Sequence, residues 1–410
     1  MPLVTDLDLP ELNLVDPDLR GERWHGAMAA LAADGHWLAQ GPLATVVLDR
    51  EAGEFFLRTK SAIFPGLTIA EIFQIDEPAL RTEIERNIIN INGQDHRRLR
   101  GLVNPALSPR AADRYRPAMR GFLEGLWAAV ARDGRCEFVE AIAKPYPSRT
   151  IATVMGAPLD DAARLHDWSQ WIQRQFDPIA LSDPAQRSTI EEKVQEFYEW
   201  VRPLIVRRRD TPADDLISAL ITAEESGDRL SDVELENLVL NVLVGGVDTT
   251  QSQLAQAIRL LAERPGQWAA LHADPEGLAP AAAEEALRYE PITPFTARIM
   301  IEEVEHRGVT FPKDSVVMVC AFSGNRDPAA FSEPDAFDIT APRGAGRMLT
   351  FGAGIHYCLG ANLARAELQE GLAFLGRHIE RLELDGEPEL QSVSGIYGVE
   401  ALPIAFTVAD

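Results

Sequence analysis

One cysteine lies in a sequence context suited to binding a metal. The segment Phe351-Gly352-Ala353-Gly354-Ile355-His356-Tyr357-Cys358-Leu359-Gly360 ends where a helical pattern begins, and that pattern runs from Leu359 to His378. The first two glycines permit a tight loop with positive φ, and Gly360 lets a flat ligand approach the backbone. Free N–H groups at a helix start favour an anion. The spacing therefore predicts that Cys358 is biased towards the thiolate, the form that binds iron.

The alternative for any lone cysteine is a buried structural role beside a turn. We assign that role to Cys136 and Cys320, which have no such context. A zinc site at His356 and Cys358 is not favoured, because no companion cysteine pair is present.

A second candidate for chemistry lies inside a long apolar helix. Ser231 and Glu234 form the spacing of a capping box, and helix-forming residues continue to Glu263. The helix contains Gly245-Gly246-Val247-Asp248-Thr249-Thr250. Adjacent glycines in a helix cost roughly 1 kcal/mol each relative to alanine, so this segment predicts a local opening of the helix. On these residues alone, Asp248 could instead mark the solvent face, and Thr249 could bond a carbonyl one turn earlier.

The elements around these segments are mainly helical. Strand signals are confined to residues 36–60, 298–320 and 385–410, whereas helical patterns fill residues 78–290 and 359–378. We therefore predict a single domain over residues 1–410, mainly α with small β-sheets at one side, where the strand-rich ends of the chain meet.

Composition and charge limit the function classes. The chain has 63 acidic and 39 basic side chains, for a net charge of −24, which disfavours binding to nucleic acid or an anionic membrane. Met1 to Pro10 has no basic start followed by an apolar run, and the apolar stretch Leu238 to Val247 is too short for a membrane span. Three distant cysteines fit a reducing compartment. We expect a cytoplasmic monomer.

The cysteine segment resembles the haem-binding loop of cytochrome P450, Phe-Gly-x-Gly-x-His-x-Cys-x-Gly, at every fixed position. The Gly245-to-Thr249 segment is similar to that family's Gly-Gly-x-Asp-Thr oxygen-activation motif. The resemblance extends from about His36 to Phe406. It implies the cytochrome P450 fold with a long central helix over haem b, and Cys358 as axial ligand of the iron. It also implies catalytic roles in proton delivery to O2 for Asp248 and Thr249, with Gly245 opening the helix.

The resemblance also implies which residues hold the haem. Candidate partners of its two propionates are His96, Arg100, Arg298 and His356, with Phe351, Gly352 and Gly360 in the loop itself. His166 and His378 are expected to be plain surface residues. One departure from the family is Met348 before Leu349, where a histidine is frequent; the neighbouring stretch from Arg343 leaves the role of that arginine open.

A structural clamp behind the haem is implied by Glu285 and Arg288, which lie one helical turn apart as in the family's Glu-x-x-Arg helix. Glu83 and Arg86 have the same spacing, and for them we expect an exposed ion pair of little energetic value.

Family topology implies an apolar substrate pocket over the haem; taken singly, each residue is better explained as ordinary core, and as a set they favour a hydrophobic organic substrate. Arg174 could anchor an acidic group. The principal pocket candidates are Phe64, Phe73, Leu240, Val244, Val247, Ile292, Phe295, Ile396 and Tyr397.

The segment from His96 to Arg120 carries seven arginines against the single acid Asp113, and these are Arg97, Arg98, Arg100, Arg110, Arg114, Arg116 and Arg120. It is either a solvated helix face or a docking surface for an acidic electron donor. The family resemblance implies a monooxygenase that hydroxylates a hydrophobic small molecule, with electrons from NAD(P)H through a ferredoxin reductase and a ferredoxin. Two alternatives stay open: an H2O2-dependent peroxygenase, and a non-catalytic haem-binding sensor.

Overall fold

The computed structural model describes residues 1–225, 230–342 and 348–409. Arg343, whose role the sequence leaves open, lies outside these ranges. None of the helices within them is both long and apolar enough to cross a lipid bilayer.

The expectation of a mainly helical chain with small sheets is confirmed. The helices in the described ranges are α1 Gly21–Ala33, α2 Arg50–Arg58, α3 Gly66–Ile72, α4 Pro78–Arg86, α5 Gly93–Val103, α6 Pro109–Val130, α7 Pro145–Met155, α8 Ala162–Gln173, α9 Pro178–Ser182, α10 Pro184–Asp210, α11 Leu216–Glu225, α12 Asp232–Gly246, α13 Asp248–Ala262, α14 Pro265–Ala273, α15 Pro275–Tyr289, α16 Ala321–Gly324 and α17 Ala361–His378.

The strands are short and form four small sheets within the described ranges. They are β1 Leu38–Gln40, β2 Thr45–Val47, β3 Ala62–Ile63, β4 Arg135–Glu137, β5 Phe295–Met300, β6 Val304–His306, β7 Val309–Phe311, β8 Val316–Cys320, β9 Ile379–Leu384, β10 Glu389–Leu390, β11 Val399–Ala401 and β12 Pro403–Val408.

The largest sheet joins strands of the N-terminal region to β5 and β8 from residues 295–320, in the order β1-β2-β8-β5-β3. Only the β2–β8 pair is parallel, with Thr45 opposite Val317. The C-terminal strands do not join this sheet. Instead, β12 lies between β4 and β9 in a second sheet, and β10 pairs with β11. The stretch 36–60 is also less strand-rich than expected, because α2 occupies most of its second half.

The long helix predicted from Ser231 to Glu263 is present as two consecutive helices. Its capping box is confirmed, since the Ser231 side chain accepts from the Glu234 N–H and the Glu234 carboxylate accepts from the Ser231 N–H. The helix is interrupted at Val247, whose φ and ψ are −93° and −69°. Every residue of α13 except Thr249 is buried. This pair of helices therefore crosses the core and opens at the glycine pair.

Candidate active site

The cysteine loop is a tight turn that only glycine can make at two positions. Gly352 and Gly354 have φ of +68° and +73°. A Cβ on Gly354 would also lie 2.6 Å from the backbone oxygen of Leu57, so α2 packs directly on this residue. The Cys358 N–H donates to the Phe351 carbonyl at 2.9 Å and closes the loop. The loop is therefore fixed before any ligand binds.

The sulfur of Cys358 is buried at the start of α17. The backbone N–H groups of Gly360 and Ala361, together with the positive charges of Arg100 and Arg365, lower the pKa of this thiol. Burial is the largest influence and raises the pKa above its ordinary value. The helix terminus therefore favours the thiolate in the expected direction, but burial outweighs that influence in the chain alone. A cation bonded to the sulfur would supply what the N–H groups do not.

Four basic side chains from three parts of the chain meet beside this loop: His96 and Arg100 on α5, Arg298 on β5, and His356. The rings of His96 and His356 lie edge to face with centroids 4.5 Å apart. Burial and the neighbouring positive groups lower the pKa of His356 to about 3, and burial lowers the pKa of Arg298 to about 10. At neutral pH the group thus holds two guanidinium cations and two neutral imidazoles.

No carboxylate balances this group within the described residues. Arg298 is 2% exposed, and its one hydrogen bond goes to the neighbouring Ala297 carbonyl. Arg100 donates to the Tyr357 carbonyl. Both ring nitrogens of His96 are buried without a hydrogen-bond partner. Buried donors of this kind require an acceptor, and two guanidinium groups match a ligand with two carboxylates.

Two glycines leave open space beside the sulfur and beside the interrupted helix. A Cβ added to Gly360 or to Gly245 would meet no atom within 4 Å, whereas one on Gly246 would lie 2.4 Å from Ile151 on α7. The two adjacent glycines thus have different roles. Gly246 permits helix packing, and Gly245 leaves its face clear. A flat group with an iron-binding centre and two carboxylates, as in haem b, fits the residues present.

Thr249 lies one turn after Gly245, and its hydroxyl donates to the Gly245 carbonyl at 2.7 Å. The bond back to a carbonyl, considered above as an alternative to function, is therefore present. It uses the only hydrogen of this hydroxyl, so the oxygen can act towards any other group only as an acceptor.

Asp248 is buried at the start of α13. Burial raises the pKa of its carboxyl from 3.8 to about 6; the positive charges of Arg174 and Lys144 lower it, and Glu400 raises it. The solvent-face alternative is thus wrong for this residue. The arrangement gives a carboxyl group that exchanges a proton near neutral pH beside the helix opening.

A second buried acid, Glu367, lies near this segment, and no sequence motif pointed to it. Glu367 on α17 is 1% exposed, and burial holds the pKa of its carboxyl well above 4.5, although the hydroxyls of Thr150 and Thr250 lower it. The available signal was an acidic residue within the apolar pattern of α17, which sequence reasoning passed over.

Glu285 and Arg288 form a buried ion pair of 2.8 Å, with each side chain 2% exposed. Arg288 also donates to the carbonyls of Asn325 at 3.1 Å, Pro334 at 2.6 Å and Ala336 at 2.7 Å. This arrangement ties α15 to the segment that leads to the cysteine loop. It is the geometry expected of a structural clamp.

Glu83 and Arg86, which have the same spacing as Glu285 and Arg288, do not form the expected ion pair. Glu83 is fully buried, and its carboxylate accepts hydrogen bonds from amide side chains instead of pairing with Arg86. The prediction of an exposed Glu83–Arg86 ion pair is wrong, because α4 turns this side chain into the core against α12.

The predicted pocket residues fall into two groups. Leu240, Val244 and Val247 are buried on the central helix pair, with Ile292 buried and Ile396 half-buried on loops. Phe64 and Phe73 are half-buried, and Phe64 meets Phe176 edge to face at 6.2 Å.

Phe295 and Tyr397 instead belong to a separate hydrophobic cluster around Trp24. Phe295 packs on Trp24 at 5.6 Å, and the Tyr397 hydroxyl accepts the Gly21 N–H at 3.0 Å. These contacts favour a packing role for both side chains. The structure therefore does not group them with Leu240 and Val244.

The expectation that His166 is a plain surface residue is wrong, because its half-buried ring hydrogen-bonds Gln251 of α13 at 2.8 Å. The half-buried His378 ring stacks on Phe374 of its own helix at 4.1 Å, and this contact does not contradict a surface position.

Acids from distant elements neutralise most of the arginine-rich segment. Arg98 pairs with Glu234, Arg114 with Asp214, and both Arg116 and Arg120 with Glu370. Arg97 and Arg110 remain exposed. The positive surface is therefore smaller than the sequence count indicates.

Comparisons with known proteins agree with this geometry. A family model described as Cytochrome P450 matches residues 43–276 and 277–393. Luteothin monooxygenase of Streptomyces thioluteus is 34% identical over 403 residues, which cover 98% of this chain and 97% of that protein. Mycinamicin IV hydroxylase/epoxidase of Micromonospora griseorubida is 36% identical over 320 residues, or 77% of this chain and 78% of that protein. The crystal structure of CalO2 superposes with a TM-score of 0.88 at 28% identity, covering 97% of this chain and 99% of that one.

Proposed function

The chain belongs to the cytochrome P450 family and is a haem-thiolate monooxygenase, and on that premise we propose that Cys358 is the iron ligand, that Asp248 and Thr249 deliver protons, and that the substrate is a largely apolar organic molecule. The observation that carries the assignment of residues is the unbalanced basic group beside Cys358. Haem b, when bound, supplies the activation of O2 with electrons from a redox partner, so that one oxygen atom enters the substrate and the other leaves as water.

His96, Arg100, Arg298 and His356 would hold the two propionates. The guanidinium groups supply charge, and the neutral imidazoles supply N–H donors. Phe351 and Gly352 shape the loop, and the open faces of Gly360 and Gly245 leave room on either side of the ring. Glu285 and Arg288 support the loop from behind without touching substrate.

Thr249 would accept a hydrogen bond from a proton-carrying water, because its own hydrogen is held by the Gly245 carbonyl. Asp248 would pass protons inwards from the side of Arg174 and Lys144, whose charges act on its carboxyl group. Neither residue is needed for a reaction driven by added H2O2, so their arrangement favours the O2-dependent route over a peroxygenase.

The substrate would contact the apolar residues over the haem. Leu240, Val244, Val247 and Ile292 offer aliphatic surface, with Phe64 and Phe73 half-buried at the sides. Relatives named luteothin monooxygenase and mycinamicin IV hydroxylase/epoxidase support the oxygenation of an organic small molecule. We further propose that the electron donor is a ferredoxin and that the enzyme acts as a cytoplasmic monomer.

A spectroscopic experiment tests the iron ligand. The haem-loaded, reduced protein is exposed to carbon monoxide, and the wild type should show the long-wavelength Soret band of thiolate ligation. Cys358→Ser should lose that band, and Cys320→Ser should keep it. An imidazole-type band in the wild type, or an unchanged spectrum in Cys358→Ser, would overturn the assignment.

A turnover experiment separates the alternatives. Terpenoids, steroids, fatty acids and aromatics are screened for a change of haem spin state, and a binding compound is incubated with a surrogate ferredoxin pair. Thr249→Ala should consume oxygen without matching product, and Thr249→Ser should restore coupling. Full coupling in Thr249→Ala would favour the peroxide route. A failure to turn over any binding compound would favour a non-catalytic sensor.

A further inference from the structure

The buried carboxylate of Glu83 on α4 packs against the N-terminal half of α12, and the hydrogen bonds that it accepts come from neutral amide groups. Glu83 is 0% exposed. Its Oε1 accepts from Asn87 at 2.7 Å and Gln175 at 3.2 Å, and its Oε2 accepts from Asn237 at 2.6 Å. Asn241 adds a longer bond to Oε1 at 3.4 Å, and the Asn237 amide also donates to the Tyr198 hydroxyl at 3.0 Å. We call these six residues the Glu83 cluster.

The cluster joins four separate elements. Glu83 and Asn87 belong to α4 and its C-terminal end, Gln175 to the turn Arg174–Phe176 after α8, Tyr198 to α10, and the two remaining asparagines to α12. A second set of bonds fixes the other end of α4. The Glu191 carboxylate on α10 accepts from the backbone N–H of Ala79 at 3.0 Å and of Leu80 at 2.6 Å. Helix α4 is thus held to α10 at one end and to α12 at the other.

The α12 side of the cluster leads directly to the proposed active site. Asn237, Asn241, Gly245 and Thr249 follow at intervals of four residues, so they lie on successive turns of the central helix pair. The Asn241 Oδ1 also accepts the Ile88 N–H at 2.9 Å. A movement of α4 away from α12 would therefore break the bond between Ile88 and Asn241 and release the chain between Ile88 and His96.

Among the residues that the structure describes, no cation pairs with the Glu83 carboxylate. The charged groups that act on the Tyr198 hydroxyl of the cluster, besides Glu83 itself, are Arg86 on α4 and Glu236 on α12, which pairs with Arg202; burial raises the pKa of Tyr198. From the turn after α8, the Arg174 guanidinium lies over the Trp171 ring at 4.3 Å instead. Burial raises the pKa of the Glu83 carboxyl from 4.5 to about 7, against the hydrogen bonds from its amide neighbours.

The sign of the effect follows from this balance. A carboxyl group whose pKa is raised by burial favours the buried arrangement while it is neutral. As the pH rises from 4.5 towards the raised pKa of about 7, states in which water reaches the ionised group become more favourable, and above that pKa the effect is complete. Two amide oxygens of the cluster, Gln175 Oε1 and Asn237 Oδ1, are buried without a donor. An amide rotation lets either of them accept the proton of a neutral Glu83, so both charge states can be accommodated.

We propose that the Glu83 cluster is a latch on the distal pocket: it keeps α4 and the turn Arg174–Phe176 closed on α12 while Glu83 is neutral, and it allows them to separate and admit substrate when Glu83 is ionised and hydrated. Glu83 is in this sense a positioning residue that acts on the cover of the pocket and not on the reacting atoms. The proposal rests on the proposed function only in taking the space over the haem as the substrate pocket.

The test measures entry of an apolar probe, 4-phenylimidazole, which binds haem iron from the distal side. Its association rate with the haem-loaded wild type is followed by stopped flow between about pH 6 and pH 8.5 and should rise about 3- to 10-fold across that range. Glu83→Gln should bind slowly at every pH. The matched control is Glu85→Gln, two residues further along α4. Glu85 pairs with Arg81 on the surface, so this variant should follow the wild type. Protonation of the probe itself is common to all three proteins.

Hydrogen exchange of the wild type provides a second readout, which requires neither a substituted protein nor ligand binding to the haem. Amides of residues 78–92 in the wild type should lose protection as the pH rises, after correction for intrinsic exchange, while amides of α17 keep theirs. The latch is overturned if Glu83→Gln shows the wild-type pH dependence, or if protection of residues 78–92 is constant with pH. Failure of the proposed function would look different, since the thiolate band with carbon monoxide would then be missing from every variant.

Discussion

The rings of His96 and His356 meet edge to face at 4.5 Å, although 260 residues separate them in sequence and both side chains were proposed to hold the same ligand. Within the described ranges, His356 has one hydrogen bond, to Asn92 at 3.3 Å, and the ring nitrogens of His96 have none. A buried pair of imidazoles with free donors is unfavourable unless an acceptor is present. The contact is therefore best explained by a carboxylate that both rings approach.

Replacing Arg298 with glutamine should weaken haem retention. The side chain is buried without an acidic partner in the described part of the chain, so its loss removes a charge-assisted hydrogen bond worth about 1.5–3 kcal/mol. Haem transfer to apomyoglobin should become roughly 10- to 100-fold faster. The control is Arg381→Gln, an exposed residue of β9. Equal transfer rates in the two variants would contradict a propionate role for Arg298.

Replacing Asp248 with asparagine should stabilise the protein while slowing turnover. Burial raises the pKa of this carboxyl to about 6, so the fold carries a penalty that develops between pH 3.8 and about 6 and is complete above it. Asparagine removes up to about 3 kcal/mol of that penalty at neutral pH. The thermal midpoint should rise by about 2–5 °C at pH 8, and by about half as much at pH 5.

Turnover of Asp248→Asn should fall by about 10²-fold or more, since the amide cannot exchange a proton. The measurement is product formation per electron supplied, with Asp248→Glu as the variant that retains a carboxyl group. Unchanged turnover in Asp248→Asn would contradict the proton-delivery role. A loss of stability in this variant would contradict the stability penalty of the buried carboxyl group.

Sequence motifs predict the candidate site, because the chemistry of a thiolate ligand restricts several neighbouring residues at once. Gly354 illustrates this, since its positive φ and its contact with Leu57 exclude any side chain. Short-range signals such as the capping box at Ser231 were equally dependable, because the interacting groups lie one turn apart.

The errors have one physical cause, which is that partners distant in sequence decide burial and charge. Glu83 has the spacing of a surface ion pair, but α12 and the turn at Gln175 cover it with amides. Arg116 and Arg120 count as unpaired in sequence, but both meet Glu370 of α17. No local pattern contains such information.

Replacing Arg288 with lysine should destabilise the fold and reduce haem incorporation. Lysine keeps the charge but cannot donate to Glu285 and to the three carbonyls at Asn325, Pro334 and Ala336 together. Disrupting a buried pair costs about 3–5 kcal/mol. Haem content of the purified protein and its thermal midpoint are the measurements. Arg81→Lys, in an exposed pair with Glu85 at 2.9 Å, should change neither.

Reduction by a ferredoxin should weaken as salt rises, and only a few residues should carry the effect. Arg97 and Arg110 are exposed and have no acidic partner among the described residues, whereas Arg98, Arg114, Arg116 and Arg120 already have acidic partners. An acidic partner protein approaching this face would be attracted over about 10 Å at low salt, and over a shorter distance as screening increases.

The double variant Arg97→Gln/Arg110→Gln should therefore be reduced about 3- to 10-fold more slowly than the wild type at low ionic strength, and the two rates should converge at high ionic strength. Stopped-flow reduction under carbon monoxide measures this directly, with the exposed Arg132→Gln on the far end of α6 as control. Reduction rates that do not depend on salt, or equal rates in the double variant and the wild type, would place the docking surface elsewhere.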